Sequence, residues 1–240
     1  MIARRLSPSI RGSVPVLCAA SVLALSAGAL GGCAKKGDIV VDEGVGITAI
    51  RSRCPSVGIP DYTGDVTLFR NPGDKTAGNV DVVATMTNVR TQCADDGAQQ
   101  PGAPAGSADK VYATVTFDVQ ARRSDTAGAR QVTIPYFVSV LQGTSTVASK
   151  RVGSITVNFA PGQERAQAQG TGAAYIDRAA ATLPEDVRER ITRKRKAGDT
   201  DAAVDPLSDP KVRAAVDRAS FELLVGFQLN ADQVAYNATR

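Results

Sequence analysis

This chain of 240 residues contains no histidine and no tryptophan, and its 28 Lys and Arg residues nearly balance its 24 Asp and Glu residues. The absence of histidine removes the commonest general base and the commonest transition-metal ligand, which argues against many classes of enzyme. Three of the basic residues and none of the acidic ones lie in residues 1–32, so residues 33–240 carry a net charge of only +1. That charge offers no overall attraction for nucleic acid.

The first 33 residues have the three parts of a bacterial export signal. A basic start is followed by an apolar stretch over residues 14–30 and by small residues before Cys33; the basic residues are Arg4, Arg5 and Arg11. The sequence Leu30-Gly31-Gly32-Cys33 resembles the lipobox of bacterial lipoprotein precursors. In that class the cysteine is acylated and becomes the first residue after cleavage.

The resemblance implies that residues 1–32 are a signal peptide and that Cys33 carries a diacylglyceryl thioether. Two or three acyl chains hold a protein on a membrane far more firmly than one. Because Ala34 rather than Asp follows the cysteine, the resemblance favours the periplasmic face of the outer membrane, or the cell surface in a host with a single membrane. Two alternatives stay open: an uncleaved membrane anchor, or an ordinary signal cut that leaves Cys33 as a free thiol.

Two cysteines, Cys54 and Cys93, remain after Cys18 leaves with the signal and Cys33 takes the lipid. An even pair in an oxidising compartment predicts a disulfide, which would contribute about 2–4 kcal/mol by constraining the unfolded chain. The alternatives are a zinc half-site, which lacks partner ligands here, and a redox pair, which usually has Cys-x-x-Cys spacing.

After a lipidated tether and first strand at residues 33–53, apolar and polar residues alternate with a period of two. Strands are predicted at 65–70, 80–86, 111–119, 132–140, 152–159, 163–176 and 221–229. Their close spacing and their turns rich in Gly, Asn, Asp and Pro predict an antiparallel β-sandwich of immunoglobulin or fibronectin-like character over residues 54–229. Residues 94–108 cannot bury a useful apolar surface and are expected to be a mobile loop, with a partner-binding role as the alternative.

Residues 180–218 break the alternation and are predicted to be a helical insert before the last strand. Val187 and Ile191 recur at helical spacing after Pro184, and Asp209 with Pro210 has the form of a second helix start. Residues 230–240 are expected to be a C-terminal tail that contains a final helical turn.

The first predicted helix ends in a basic block, Arg193-Lys194-Arg195-Lys196. These residues could contact lipid headgroups, phosphorylated lipopolysaccharide or an acidic protein. The plainer interpretation is a solvated last turn whose cations offset the helix dipole, with the pairs Asp186–Arg190 and Glu189–Arg193 supporting the helix upstream. Nucleic acid is not an expected partner, because no aromatic platform accompanies the block.

No motif in the chain indicates a particular enzymatic reaction. The acidic series Asp199, Asp201, Asp205 and Asp209 fails as a calcium loop, because the sixth and twelfth positions hold Val204 and Pro210. We therefore expect a non-enzymatic, lipid-anchored interaction or assembly module that contacts envelope proteins and carries neither cofactor nor metal. The alternative is a periplasmic binding protein for a glycan, a lipid or a peptidoglycan fragment, which would need a pocket with convergent polar groups.

Overall fold

The computed structural model describes residues 51–93, 109–143 and 145–239, which form two β-sheets packed face to face. In sheet A the order is β1-β8-β5-β6, built from Ser56–Gly58, Phe221–Phe227, Arg130–Gln142 and Thr146–Phe159. In sheet B the order is β2-β3-β4-β7, built from Asp65–Phe69, Val80–Cys93, Lys110–Arg123 and Arg165–Asp177. Only β1 and β8 pair in parallel among these strands. The prediction of a mainly β chain with antiparallel sheets is confirmed.

Several regions with sequence predictions lie outside the described residues. They are the signal and lipobox at residues 1–33, the tether up to residue 50, and the loop at residues 94–108. The described part of the tether, residues 51–53, carries no strand and leads into β1.

The core lies between the two sheets and follows from the alternation of the central strands. On β4, the apolar residues Val111, Ala113, Val115, Phe117 and Val119 are all fully buried, while the intervening polar residues lie on the outer face of sheet B. Strands β5 and β8 supply the opposite layer of the core. Each large apolar side chain buried in this way contributes about 1.5–3 kcal/mol to folding.

Two aromatic residues, one from each sheet, pack against a glycine of their own sheet and contact each other between the sheets. Gly170 on β7 lies opposite Phe117 on β4, and Gly153 on β6 lies opposite Tyr136 on β5. The two rings meet edge to face with their centroids 5.0 Å apart. The Tyr136 hydroxyl donates a hydrogen bond to the Thr171 carbonyl oxygen at 2.7 Å, so a sheet A side chain is fixed to a sheet B strand.

Three helices lie beside the sheets. Helices α1 (Glu185–Thr192) and α2 (Pro210–Ala219) lie between β7 and β8 in the chain and share a small core of their own, formed by Val187, Ile191, Val212, Ala215 and Val216. Helix α3 (Ala231–Thr239) follows β8, in the region expected to be a tail. The Asn237 side chain on α3 donates to the carbonyl oxygens of Tyr62 and Asp65, which holds α3 against β2.

Candidate functional site

A cavity of about 770 Å³ lies where the residues before β1 meet α1, α2 and the start of β8. This volume is within the range typical of small-molecule sites. Apolar side chains from the helical region and from β8 line it, including Leu183, Ile191, Val216 and Phe221. The charged residues that line it are Arg51, Arg53, Arg188, Asp217 and Glu222.

The disulfide predicted from the sequence fixes one wall of this cavity. Cys54 is bonded to Cys93 at the end of β3, with their Cα atoms 5.9 Å apart, and Cys54 itself lines the cavity. Next to it, the Arg53 Nε donates to the Thr182 hydroxyl at 2.9 Å, which joins the wall to the segment before α1. The wall is therefore held by a covalent bond on one side and a hydrogen bond on the other.

The charged groups around the cavity are arginines and carboxylates, and serine and threonine hydroxyls lie among them. On α1, Arg188 forms an ion pair with Glu185, and its hydrogen bond holds the pKa of the Glu185 carboxyl below its ordinary value. Guanidinium groups bind carboxylates and phosphates through paired hydrogen bonds. Together with the apolar side chains of the same lining, these groups can bind an anionic or zwitterionic headgroup joined to an apolar chain.

The basic block differs from the expected solvated helix turn. Helix α1 already ends at Thr192, and the chain then turns so that the Asp201 carboxylate reaches both Arg193 and Arg195. The Arg195 side chain is only 4% exposed and also donates to the Arg190 carbonyl oxygen at 3.2 Å. Of the four basic residues, only Arg193, Lys194 and Lys196 are exposed, so the block is not a uniform cationic surface.

The expected ion pairs along α1 are also replaced by longer-range ones. Arg190 pairs with Asp209 at 2.9 Å and Arg193 pairs with Asp201, because the turns after α1 bring these aspartates back to the helix. The hydrogen bond from Arg193 lowers the pKa of Asp201. The Lys211 backbone amide and Arg190 together lower the pKa of Asp209.

The acidic series between α1 and α2 has local structural roles. Asp209 caps α2 by accepting from the Lys211 amide, as its position before Pro210 predicted, and Asp205 accepts from the Leu207 amide. Asp199 accepts from the Lys196 amide. Within the described ranges, no group of three or more His, Cys, Asp or Glu side chains is placed to hold a metal ion.

An open edge strand is a feature that the sequence reasoning missed. Strand β6 begins at Thr146, six residues before the predicted start, and lies at the edge of sheet A. Residues 146–152 are exposed on both faces, with Val147 59% and Val152 60% exposed. The neighbouring Lys150 ammonium lies 4.8 Å from the centre of the Phe137 ring. The β-branched Thr146 and Val147 were a weak signal for this extension.

No protein-family model, curated protein or solved structure matches this chain. Among the residues that the structure describes, no helix is both long enough and apolar enough to cross a membrane.

Proposed function

We propose that this chain is a bacterial lipoprotein that holds a non-enzymatic interaction module on the periplasmic face of the outer membrane. The sequence Leu30-Gly31-Gly32-Cys33, which resembles a lipobox, supports acylation at Cys33. The module is the sandwich of residues 54–229, of immunoglobulin or fibronectin-like character, with residues 180–218 as a helical insert. Its partners are other envelope proteins rather than nucleic acid, and it needs no cofactor.

The observation that supports an interaction module is the open edge of β6. An edge strand presents unpaired backbone amides and carbonyls to which a partner strand can add. Lys150 and Arg151 lie in the middle of this edge, beside the exposed apolar residues Val147 and Val152. Two copies paired edge to edge would bring these cations close together, so the edge favours a different partner with acidic residues.

Crosslinking at the edge tests this proposal. A photoreactive residue at position 147 or 152 should crosslink to a defined envelope protein in living cells. Val204 is a matched control, because it is 51% exposed but lies in the linker between α1 and α2. A crosslinking pattern that is identical at 147, 152 and 204, or no crosslink at all, would contradict the interaction module.

The cavity supports a second candidate, a binding protein for a lipid or another envelope fragment with a charged headgroup. Its volume, its apolar side chains and its arginines fit such a ligand. Native mass spectrometry should find a small ligand retained by the purified protein. Ala219→Trp, which places an indole in the cavity, should release that ligand, whereas Ala214→Trp on the exposed side of α2 should not. Absence of ligand from the unmodified protein would contradict this candidate.

A further inference from the structure

A second concave surface, a shallow groove of about 560 Å³, lies on the outer face of sheet B. It crosses β3, β4 and β7 and is distinct from both the cavity and the β6 edge. Its polar side chains come from the strand positions that alternate with the buried core residues, so the sheet itself fixes their spacing. The residues that define it are Arg122, Arg165, Gln120, Gln167 and Thr85.

The strand register arranges these side chains in two rows. In the first row, Arg122 on β4 lies directly opposite Arg165 on β7. In the second row, two residues along the same face, Gln120 lies opposite Gln167, and Thr85 on β3 continues the row. Directly opposite side chains on antiparallel strands lie about 4.5–5.5 Å apart at their Cβ atoms.

The first row places two positive charges side by side, an arrangement that destabilises a sheet. Glu164 lies 3.6 Å from Arg122, but both side chains are more than half exposed, so this ion pair offsets little of the repulsion. Arg165 forms no ion pair with any acidic residue in the described part of the chain. A ligand with an oxyanion between the two guanidinium groups would offset the repulsion and gain paired hydrogen bonds.

The second row favours a ligand rich in hydroxyl groups. The Gln120 and Gln167 amides can each donate and accept hydrogen bonds, as hydroxyl groups require. An extended peptide would instead need free backbone partners. Strands β3 and β4, beneath the groove, each pair with a neighbour on both sides, so their backbone groups are already hydrogen-bonded within the sheet. A peptide strand could add at the outer edge of β7, but it would then extend the sheet instead of lying across the two rows.

From this juxtaposition we propose that the outer face of sheet B binds a carboxylated polysaccharide, with its carboxylates at Arg122 and Arg165 and its hydroxyls at Gln120 and Gln167. The site depends neither on the lipid anchor nor on the β6 partner. An absence of polysaccharide binding would therefore leave the proposed function untouched. Binding should weaken with added salt, because both arginines are exposed.

The test uses the full purified chain and labelled oligogalacturonate as the probe. Arg165→Gln and Arg122→Gln should each weaken binding by about tenfold, as expected for the loss of a charged hydrogen-bonding group. Arg218→Gln is the matched control, because Arg218 is an exposed arginine on α2, away from the groove, and its substitution should leave the affinity unchanged. Thermal melting of each variant checks that the fold is retained.

Two further probes separate a glycan site from general attraction to anions. A neutral maltooligosaccharide should not bind, and poly-L-glutamate of similar charge should bind more weakly than oligogalacturonate. Gln167→Ala should weaken oligogalacturonate binding without changing poly-L-glutamate binding. The proposal is overturned by equal binding of the two anionic polymers, by equal loss of affinity in Arg218→Gln, or by no binding of oligogalacturonate.

Discussion

Asp81 and Arg130 form a bidentate ion pair that joins the two sheets. The Arg130 Nη1 and Nη2 atoms donate to the two Asp81 carboxylate oxygens at 2.7 and 2.6 Å. Asp81 lies at the start of β3 in sheet B, and Arg130 lies at the start of β5 in sheet A. At the other end of β3, Cys93 is bonded to Cys54, and only Pro55 separates Cys54 from β1 of sheet A. The ion pair at the start of β3 and the disulfide at its end therefore both join this strand to residues of sheet A or next to it.

Asp81→Asn should lower the free energy of unfolding by about 1–2 kcal/mol. The Asp81 side chain is only 13% exposed, so loss of its charge leaves Arg130 without its ionic partner in a partly buried place. Urea unfolding at neutral pH measures the change. Asp61→Asn, at an exposed turn position, is the control and should have little effect. Equal destabilisation by the two substitutions would show that the ion pair is not important.

The same ion pair should make part of the stability depend on pH. The hydrogen bond from Arg130 holds the pKa of Asp81 below its ordinary value. A carboxyl whose pKa is lower in the folded state stabilises the protein above its unfolded pKa of about 3.9 and loses that contribution as the pH falls through the folded pKa. The stability difference between the native sequence and Asp81→Asn should therefore be full near pH 7 and shrink below about pH 4. Urea unfolding across that range measures it, and a difference that stays constant would contradict the assignment.

Gly170→Ala should destabilise the sandwich by about 1–3 kcal/mol, since an added methyl group would overlap the Phe117 ring. The displaced ring would also disturb its contact with Tyr136. Gly128→Ala is the matched control, because the space around a Cβ at that position is open. Thermal and urea unfolding should separate the two variants. If both are neutral, the close packing at Gly170 does not stabilise the fold.

Removal of the disulfide should cost about 2–4 kcal/mol and loosen the cavity wall that contains Cys54. The measurement is the free energy of unfolding with and without a reductant. A Cys54→Ser/Cys93→Ser variant should have about the stability of the reduced native chain and should not respond to reductant. A native chain that is equally stable under oxidising and reducing conditions would rule out a stabilising role for the bond.

Arg165→Gln should raise the free energy of unfolding by about 0.2–1 kcal/mol, because it removes the repulsion with Arg122 on the opposite strand. The gain should fall as salt is added. The same substitution on the exposed Arg218 should give no gain. Chemical unfolding at low and high salt distinguishes these results, and a loss of stability in Arg165→Gln would contradict the repulsion.

The strands could be predicted from the sequence because alternation reports burial directly. The run at 111–119 identified the inward residues of β4, and the even number of cysteines identified the disulfide. Four predicted strands, at 80–86, 111–119, 132–140 and 152–159, were shorter than the observed ones. On β4 the reason is that polar residues at the strand end, such as Gln120 and Arg122, still pair with β7. Alternation cannot detect pairing where both faces are solvated, which is also why the exposed half of β6 was missed.

The buried arginines could not be predicted because the oxygens that accept from them are placed by the folding of turns and loops. Arg123 is 2% exposed, yet it donates to the carbonyl oxygens of Gly128, Ala160 and Gln163 at 2.7–2.8 Å. Nothing in the sequence marks those three carbonyls as a site for a guanidinium group. The burial of Arg195 against Asp201 has the same origin. The cavity forms between segments that are far apart in the chain, so no local motif predicts it.

The proposed function depends on the lipid anchor at Cys33, which intact mass combined with membrane fractionation can test. If Cys33 is acylated, the native protein should begin at Cys33, carry the mass of its acyl chains and sediment with membranes. Cys33→Ser should abolish the added mass and release the protein from membranes. A native chain that is soluble, or that retains residues 1–32, would contradict the lipid anchor.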